Sequence, residues 1–203
     1  MRNIQRVLIS FGVAALLFCG GSILYGTIFQ KLQSWRFDHS VVSAPAAEIR
    51  EGEILGRLEI PDLNFSVMVL EGVGDEVLMA GAGHVPGTSH PGAVQNGNVA
   101  IAGHRDTFFR DLRRIRSGQR IRFTTSAGAF DYSVSGTEVV RPSETEVLEA
   151  HGTSELTLIT CYPFSFIGAA PERFVVHAKA IGNAPDKNAG RGRIVRTRGG
   201  VRK

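Results

Sequence analysis

The chain has 203 residues, with 23 Lys or Arg, 19 Asp or Glu, two cysteines and 43% hydrophobic residues. That length fits one ordinary domain with appendages, and two cysteines exclude a disulfide-stapled scaffold. The formal charge is +4, but residues 1–36 and 182–203 are basic and the stretch between them is net acidic, so the pI is no argument for a nucleic-acid-binding fold.

Val7 to Phe29 runs without a charged residue. At about 1.5 Å per helical residue such a run crosses a hydrocarbon core of about 30 Å. The rival reading is a cleavable signal peptide, whose apolar region is about 7–15 residues with a small-x-small site close behind. Here Ala44-Pro45-Ala46 lies well past the run. Residues 1–36 therefore read as an uncleaved, single-pass anchor in the cell membrane. Arg2 and Arg6 before the span nearly balance Lys31 and Arg36 after it, so the positive-inside rule decides little. The simplest topology leaves the short stub inside and the domain on the extracytoplasmic side.

Residues 37–53 read as a linker, and residues 54–181 as the folded domain. "ILGRLEIPDLNFSVMVLEG" predicts two strands around the Pro61-Asp62 turn signal. "DEVLMAGAGHVPGTSHPG" starts as a short helix and dissolves into Gly and Pro. "NGNVAIAGH" is a turn and a buried strand ending at Gly103-His104. In "DTFFRDLRRI", Asp106 or Thr107 fits an N-cap, and Phe108, Leu112 and Ile115 are near helical spacing. "GQRIRFTT" and "GAFDYSVSGTEVVRP" alternate with period two. "SETEVLEAHG" is a loop with a helical turn, followed by strands at 156–161 and 173–181. Many short strands with scraps of helix predict an all-β domain, closed or sandwiched. The last segment, residues 182–203, is Gly- and Arg-rich with few apolar residues, the composition of a disordered basic tail.

The strand "LTLIT" stops on Cys161, and a Tyr-Pro turn signal follows. Buried cysteine is an ordinary small hydrophobe, so core packing is one reading. The other comes from pairing. If the last two strands are antiparallel neighbours, Cys161 closing one meets Arg173 opening the other, and His104 also ends a strand. A thiolate is a nucleophile favoured by a nearby cation. Histidine moves protons at neutral pH, and arginine donates hydrogen bonds to a developing oxyanion. The set suits acyl transfer through a thioester. Against it stand His104 as a helix-entry residue and Arg173 as an ion-pair partner of Glu172 or Asp106. No metal-type Cys/His spacing appears.

The segments "NVAIAGHRDTFFRDL", "LTLITC" followed by "YPF", and "PERFVV" resemble the sortase family of membrane-anchored cysteine transpeptidases. The likeness is greatest to the class D type, which also shows a segment like "GHVPGT", Gly83 to Thr88. "LEIPDLNFSVMV" is similar to the family's first strand pair, and the resemblance runs over roughly residues 52–181. It implies a closed eight-stranded β-barrel. It implies Cys161 as nucleophile, His104 as proton-transfer residue and Arg173 as the substrate-orienting, oxyanion-stabilising arginine. Thr160 and Tyr162 are expected to line the substrate groove, with His84 an auxiliary substrate contact. The implied reaction cuts a sorting signal like Leu-Pro-x-Thr-Gly between Thr and Gly, in a secreted protein. An amine of a cell-wall precursor or a protein lysine then takes the acyl group. The family needs no organic cofactor, and no acidic cluster here suggests calcium. No nucleic-acid partner is expected.

Overall fold

Period-two burial builds the domain. In β1 (Ile54–Ile60) and β2 (Phe65–Glu71), Leu58, Ile60, Phe65, Val67 and Val69 turn to one interior. Leu156, Leu158, Val176 and Ala178 meet them from the last two strands. In this computed structural model the described residues are 49–91, 96–166 and 168–181, plus separate helical positions between 6 and 34. After β2 come a short helix, α1 (Asp75–Ala80), then β3 (Ala82–His84) and β4 (Asn98–Ala102). β5 (Arg120–Thr125), β6 (Gly128–Val140), β7 (Glu155–Tyr162) and β8 (Glu172–Ala180) complete the chain order.

These eight strands close into a barrel in the order β1-β2-β3-β4-β7-β8-β6-β5, which leaves no unpaired sheet edge. β2–β3 and β4–β7 are parallel and the other pairs antiparallel. The closed eight-stranded β-barrel expected from the sequence is thus the observed architecture.

Two local expectations need correction. Ala82–His84, read as dissolving into loop, is a strand between β2 and β4. The helix expected from Asp106 or Thr107 is a turn followed by a 3-10 helix, Arg110–Arg114. Its buried anchors are Phe109 and Leu112, both 0% exposed, and their spacing of three residues suits the tighter helix.

The charge-free run expected to span a membrane falls largely outside the described residues. Among the described residues no helix is long and apolar enough to cross a membrane. Its described positions, including Ile9, Phe11, Leu16, Leu17 and Ile28, are helical with exposed side chains. Further along, Gln30 accepts from the Met68 N–H at 2.7 Å and donates to the Ala80 carbonyl, while Arg57 donates to the Ser34 hydroxyl at 3.0 Å. The basic tail expected at 182–203 also lies outside the described residues.

Candidate active site

β7 is central. It pairs with β4 in parallel, Asn98 opposite Glu155 and so on to Ala102 opposite Ile159, with no slip. The pairing goes on past the end of β4: the Gly103 N–H donates to the Ile159 carbonyl at 3.1 Å, and the Thr160 hydroxyl donates to the Gly103 carbonyl at 2.7 Å. The same register carried to the next two residues would bring His104 level with Cys161. On the other side of β7, Cys161 is directly paired with Arg173 of β8. The thiol and the guanidinium are thus direct partners, and the imidazole follows on the segment tied to β7 at Gly103. Direct antiparallel partners have Cβ atoms about 4.5–5.5 Å apart.

Alternation decides which face they use. Leu156 and Leu158 of β7, and Val176 and Ala178 of β8, point into the core. Cys161 and Arg173 have the opposite parity and project from the outer face of the barrel. Cys161 is a free, half-buried thiol, and His104 is exposed. Gly103 leads into it, and a Cβ there would lie 2.9 Å from the Phe109 ring. The buried phenylalanine thus packs where a side chain would otherwise stand, and this glycine lets the chain turn closely over it.

Arg173 uses one nitrogen, Nη1, to donate to the carbonyls of Ala170 at 3.3 Å and Glu172 at 3.0 Å. Among the described residues it has no ion pair with Glu172 or Asp106. Among the described residues its other N–H groups meet no acceptor.

Four residues before Cys161 on β7, the 141–151 segment packs on the outer face. Buried Asn98 donates to the carbonyls of Val147 and Glu149, both at 3.2 Å, and accepts from the Thr157 hydroxyl at 2.9 Å. On the opposite side the β7–β8 loop is strapped down by Arg105, whose Nη2 donates to the carbonyls of Phe166 at 2.6 Å and Gly168 at 3.0 Å. Its Nη1 is buried with no acceptor among the described residues. The sequence reading passed over Arg105, although it directly follows His104.

Of the three residues expected at the groove, Thr160 and His84 are buried and Tyr162 is half-buried. Thr160 is 2% exposed and shares the parity of the core residues Leu156 and Leu158. Tyr162 has the same parity and stacks on Phe174, ring centroids 6.2 Å apart, with Phe164 edge-on. His84 is 0% exposed, with Nδ1 on the Glu71 carboxylate and Nε2 near the Ser89 carbonyl and Thr88 hydroxyl.

A family model for the sortase domain matches residues 58–181. Sortase D of Bacillus subtilis is 36% identical over 131 residues, 64% of this chain and 65% of the relative. Sortase A of Bacillus anthracis is 30% identical over 145 residues, 70% of this chain and 66% of the relative. The chain thus spans just under two thirds of the length of each. Among solved structures, a Clostridium perfringens sortase D5 transpeptidase superposes with a TM-score of 0.64 at 27% identity, covering 78% of this chain and 99% of that one. Sortase A from Corynebacterium diphtheriae superposes with a TM-score of 0.61 at 25% identity, covering 70% and 65%. With the domain model matched across the whole barrel from Leu58 onward, the chain belongs to the sortase family.

Proposed function

We propose that the chain is a membrane-anchored cysteine transpeptidase. It cleaves a Leu-Pro-x-Thr-Gly-like sorting signal of a secreted protein between Thr and Gly and passes the acyl group to an amine. One observation carries this reading: the pairing around β7, which sets Cys161 directly opposite Arg173 and ends on the β4 side at Ala102 opposite Ile159, two residues short of His104 and Cys161. Membership of a family whose relatives bear the names sortase D and sortase A supports it.

In the first half-reaction the Cys161 thiolate attacks the threonine carbonyl carbon. A C–S bond forms, and the carbonyl π electrons move onto oxygen. The unengaged N–H groups of Arg173 donate to that oxygen as its charge grows. The C–N bond then breaks, and protonated His104 gives its proton to the departing glycine amine. In the second half-reaction an amine of a cell-wall precursor or a protein lysine attacks the thioester and gives a proton to His104, and the sulfur leaves as thiolate. The steps use the side chains of this chain and its two substrates. The charge-free run at 7–29 and the exposed apolar helical positions within it support a single-pass anchor in the cell membrane, with the barrel on the extracytoplasmic side.

The test follows products by mass spectrometry. The full chain in detergent is given a Leu-Pro-x-Thr-Gly peptide, with and without a small primary amine. The parent is expected to form the acyl–amine conjugate and Cys161→Ala none. Arg173→Lys should lose about 10²–10³ in kcat, because an ammonium does not copy a planar fork. His104→Ala should lose conjugation but keep alkylation of Cys161 by a thiol reagent. Hydrolysed peptide alone, even with amine present, would make the chain a cysteine peptidase. Peptide bound without cleavage, equally well by Cys161→Ala, would make it a binding barrel.

A further inference from the structure

A second group of side chains converges at the end of β2 and β3, on residues the proposed transpeptidation does not use. Glu71 closes β2 and His84 closes the parallel β3, directly paired with it. His90 returns from the following loop. Glu71 Oε2 lies 3.0 Å from His84 Nδ1 and 2.9 Å from His90 Nε2. All three donor atoms lie within 4.8 Å of one another. The side chains of His84, Glu71 and His90 are 0%, 13% and 36% exposed.

The surroundings fix which nitrogen of His84 carries hydrogen. Nε2 is 3.1 Å from the Ser89 carbonyl, an acceptor only, and 3.1 Å from the Thr88 hydroxyl. That hydroxyl spends its own hydrogen on the Val85 carbonyl at 2.8 Å. Both neighbours therefore call for an N–H on Nε2. The neighbours are themselves fixed to β4: Ser89 N–H donates to the Asn98 carbonyl at 2.9 Å, and Ala100 N–H to the Thr88 hydroxyl at 3.2 Å. In the neutral ring the Nδ1 lone pair is then turned onto the Glu71 carboxylate. Two acceptors at that distance need a proton or a cation between them. An imidazole that donates one N–H to a backbone carbonyl and turns its other nitrogen to a carboxylate has the supporting contacts of a metal ligand.

We propose that Glu71, His84 and His90 bind a divalent transition-metal ion, of the Zn²⁺ class, at a site separate from Cys161. Two imidazoles and a carboxylate match the nitrogen and oxygen ligands that Zn²⁺ takes, with a fourth position left to water. Ligand atoms about 2.1 Å from a tetrahedral ion are roughly 3.4 Å apart. The two edges on Glu71, at 3.0 and 2.9 Å, need to open by only a few tenths of an ångström. The part-exposed ring of His90 gives the ion its way in. Once bound, it ties β2, β3 and the loop after β3 together beside β4, the strand that leads to His104.

Zinc also binds thiolates, so the test uses the untagged full chain carrying Cys161→Ala. Zn²⁺ is titrated in competition with a chromophoric chelator, and Co²⁺ is followed by its visible spectrum. The expected result is stoichiometric binding at micromolar protein, with a Co²⁺ spectrum lacking sulfur charge-transfer bands. Adding His90→Ala, or separately Glu71→Gln, should weaken binding at least about 100-fold, the upper end of what losing a mere supporting contact does. His90 lies outside the strands, so its variant keeps the test valid if Glu71→Gln disturbs folding. Absence of binding would overturn the proposal, leaving a proton between Glu71 and His84. Parent affinity in His90→Ala would overturn it too, by placing the ion elsewhere, as on the exposed His151–Glu155 or His177–Glu138 pair.

Discussion

The Thr160 hydroxyl, donating to the Gly103 carbonyl at 2.7 Å in a buried setting, is the last direct tie between β7 and the segment that presents His104. Its side chain is buried, so on the proposed reading its contribution would be to hold the backbone leading to His104 beside β7. Replacing a buried donor by an isosteric methyl leaves its acceptor without that partner, at a cost on the order of 1–3 kcal/mol. That is enough to let the peptide at Gly103 shift, and a displacement of about 1 Å in a reacting group costs on the order of 10² in rate. Thr160→Val is therefore expected to lower kcat by roughly 10–100-fold while Cys161 is alkylated at the parent's rate. Thr160→Ser should restore most of the loss, since it keeps the donor. Parallel loss of alkylation and turnover would mark Thr160 as general packing and not a positioning residue.

The β5–β6 hairpin shows how charge supports an element without joining the site. Asp131 on β6 accepts from Arg122 Nε at 2.9 Å, and its other oxygen is bridged by Arg120. Hydrogen bonds from Arg122 and then Arg120 hold its carboxyl at about 2, below the ordinary 3.8. A carboxylate depressed on folding stabilises the fold above the unfolded value of 3.8, and that contribution disappears as pH falls from there to about 2. Both arginines are substantially exposed, 52% and 38%, so solvent and salt screen the pairs. Asp131→Asn should lower Tm at neutral pH by about 2–4 °C. The gap should shrink in molar salt and close near pH 2, as measured by thermal melts across pH. An undiminished gap at the acid end would assign the effect to packing. Elements such as this hairpin were legible because both strands alternate cleanly. β3 was not, because it is short and its glycines look like turn residues. A Cβ on Gly83 would sit 2.2 Å from the Gly72 carbonyl, and one on Gly81 2.5 Å from the Met68 carbonyl, so these glycines serve a close approach of chains and not a turn. Cys161, His104 and Arg173 were legible as residues at or beside strand ends. The burial of Thr160 was also readable, since Leu156 and Leu158 put even-numbered positions of β7 inward. Glu71, His84 and His90 come from a strand, a second strand and a loop that the parallel β2–β3 pairing brings together.

At the scale of the whole molecule, the barrel and the proposed N-terminal anchor would answer to different solvents. The barrel has every strand paired on both sides and needs no membrane to satisfy its backbone. The charge-free residues 7–29 have the length and apolarity of a span, and Gln30 and Ser34, just past them, bond to the β1–β2 face and α1. That contact would hold the barrel close to the bilayer instead of letting it swing on a long tether. The basic residues 182–203 are a rival source of membrane affinity, by attraction to anionic lipid, and that attraction falls off as salt shortens the Debye length. Flotation separates the two. The full chain, reconstituted from detergent into vesicles of neutral phosphatidylcholine, is expected to float in high salt, and a chain of residues 49–203 to stay at the bottom while still transferring the acyl group of a soluble Leu-Pro-x-Thr-Gly peptide to an amine. Insertion of some 20 apolar residues is indifferent to salt, whereas polybasic binding is not. A full chain that floats only with anionic vesicles at low salt would move the membrane contact from the N-terminal run to the tail, and a full chain that never floats would remove the anchor from the proposed function.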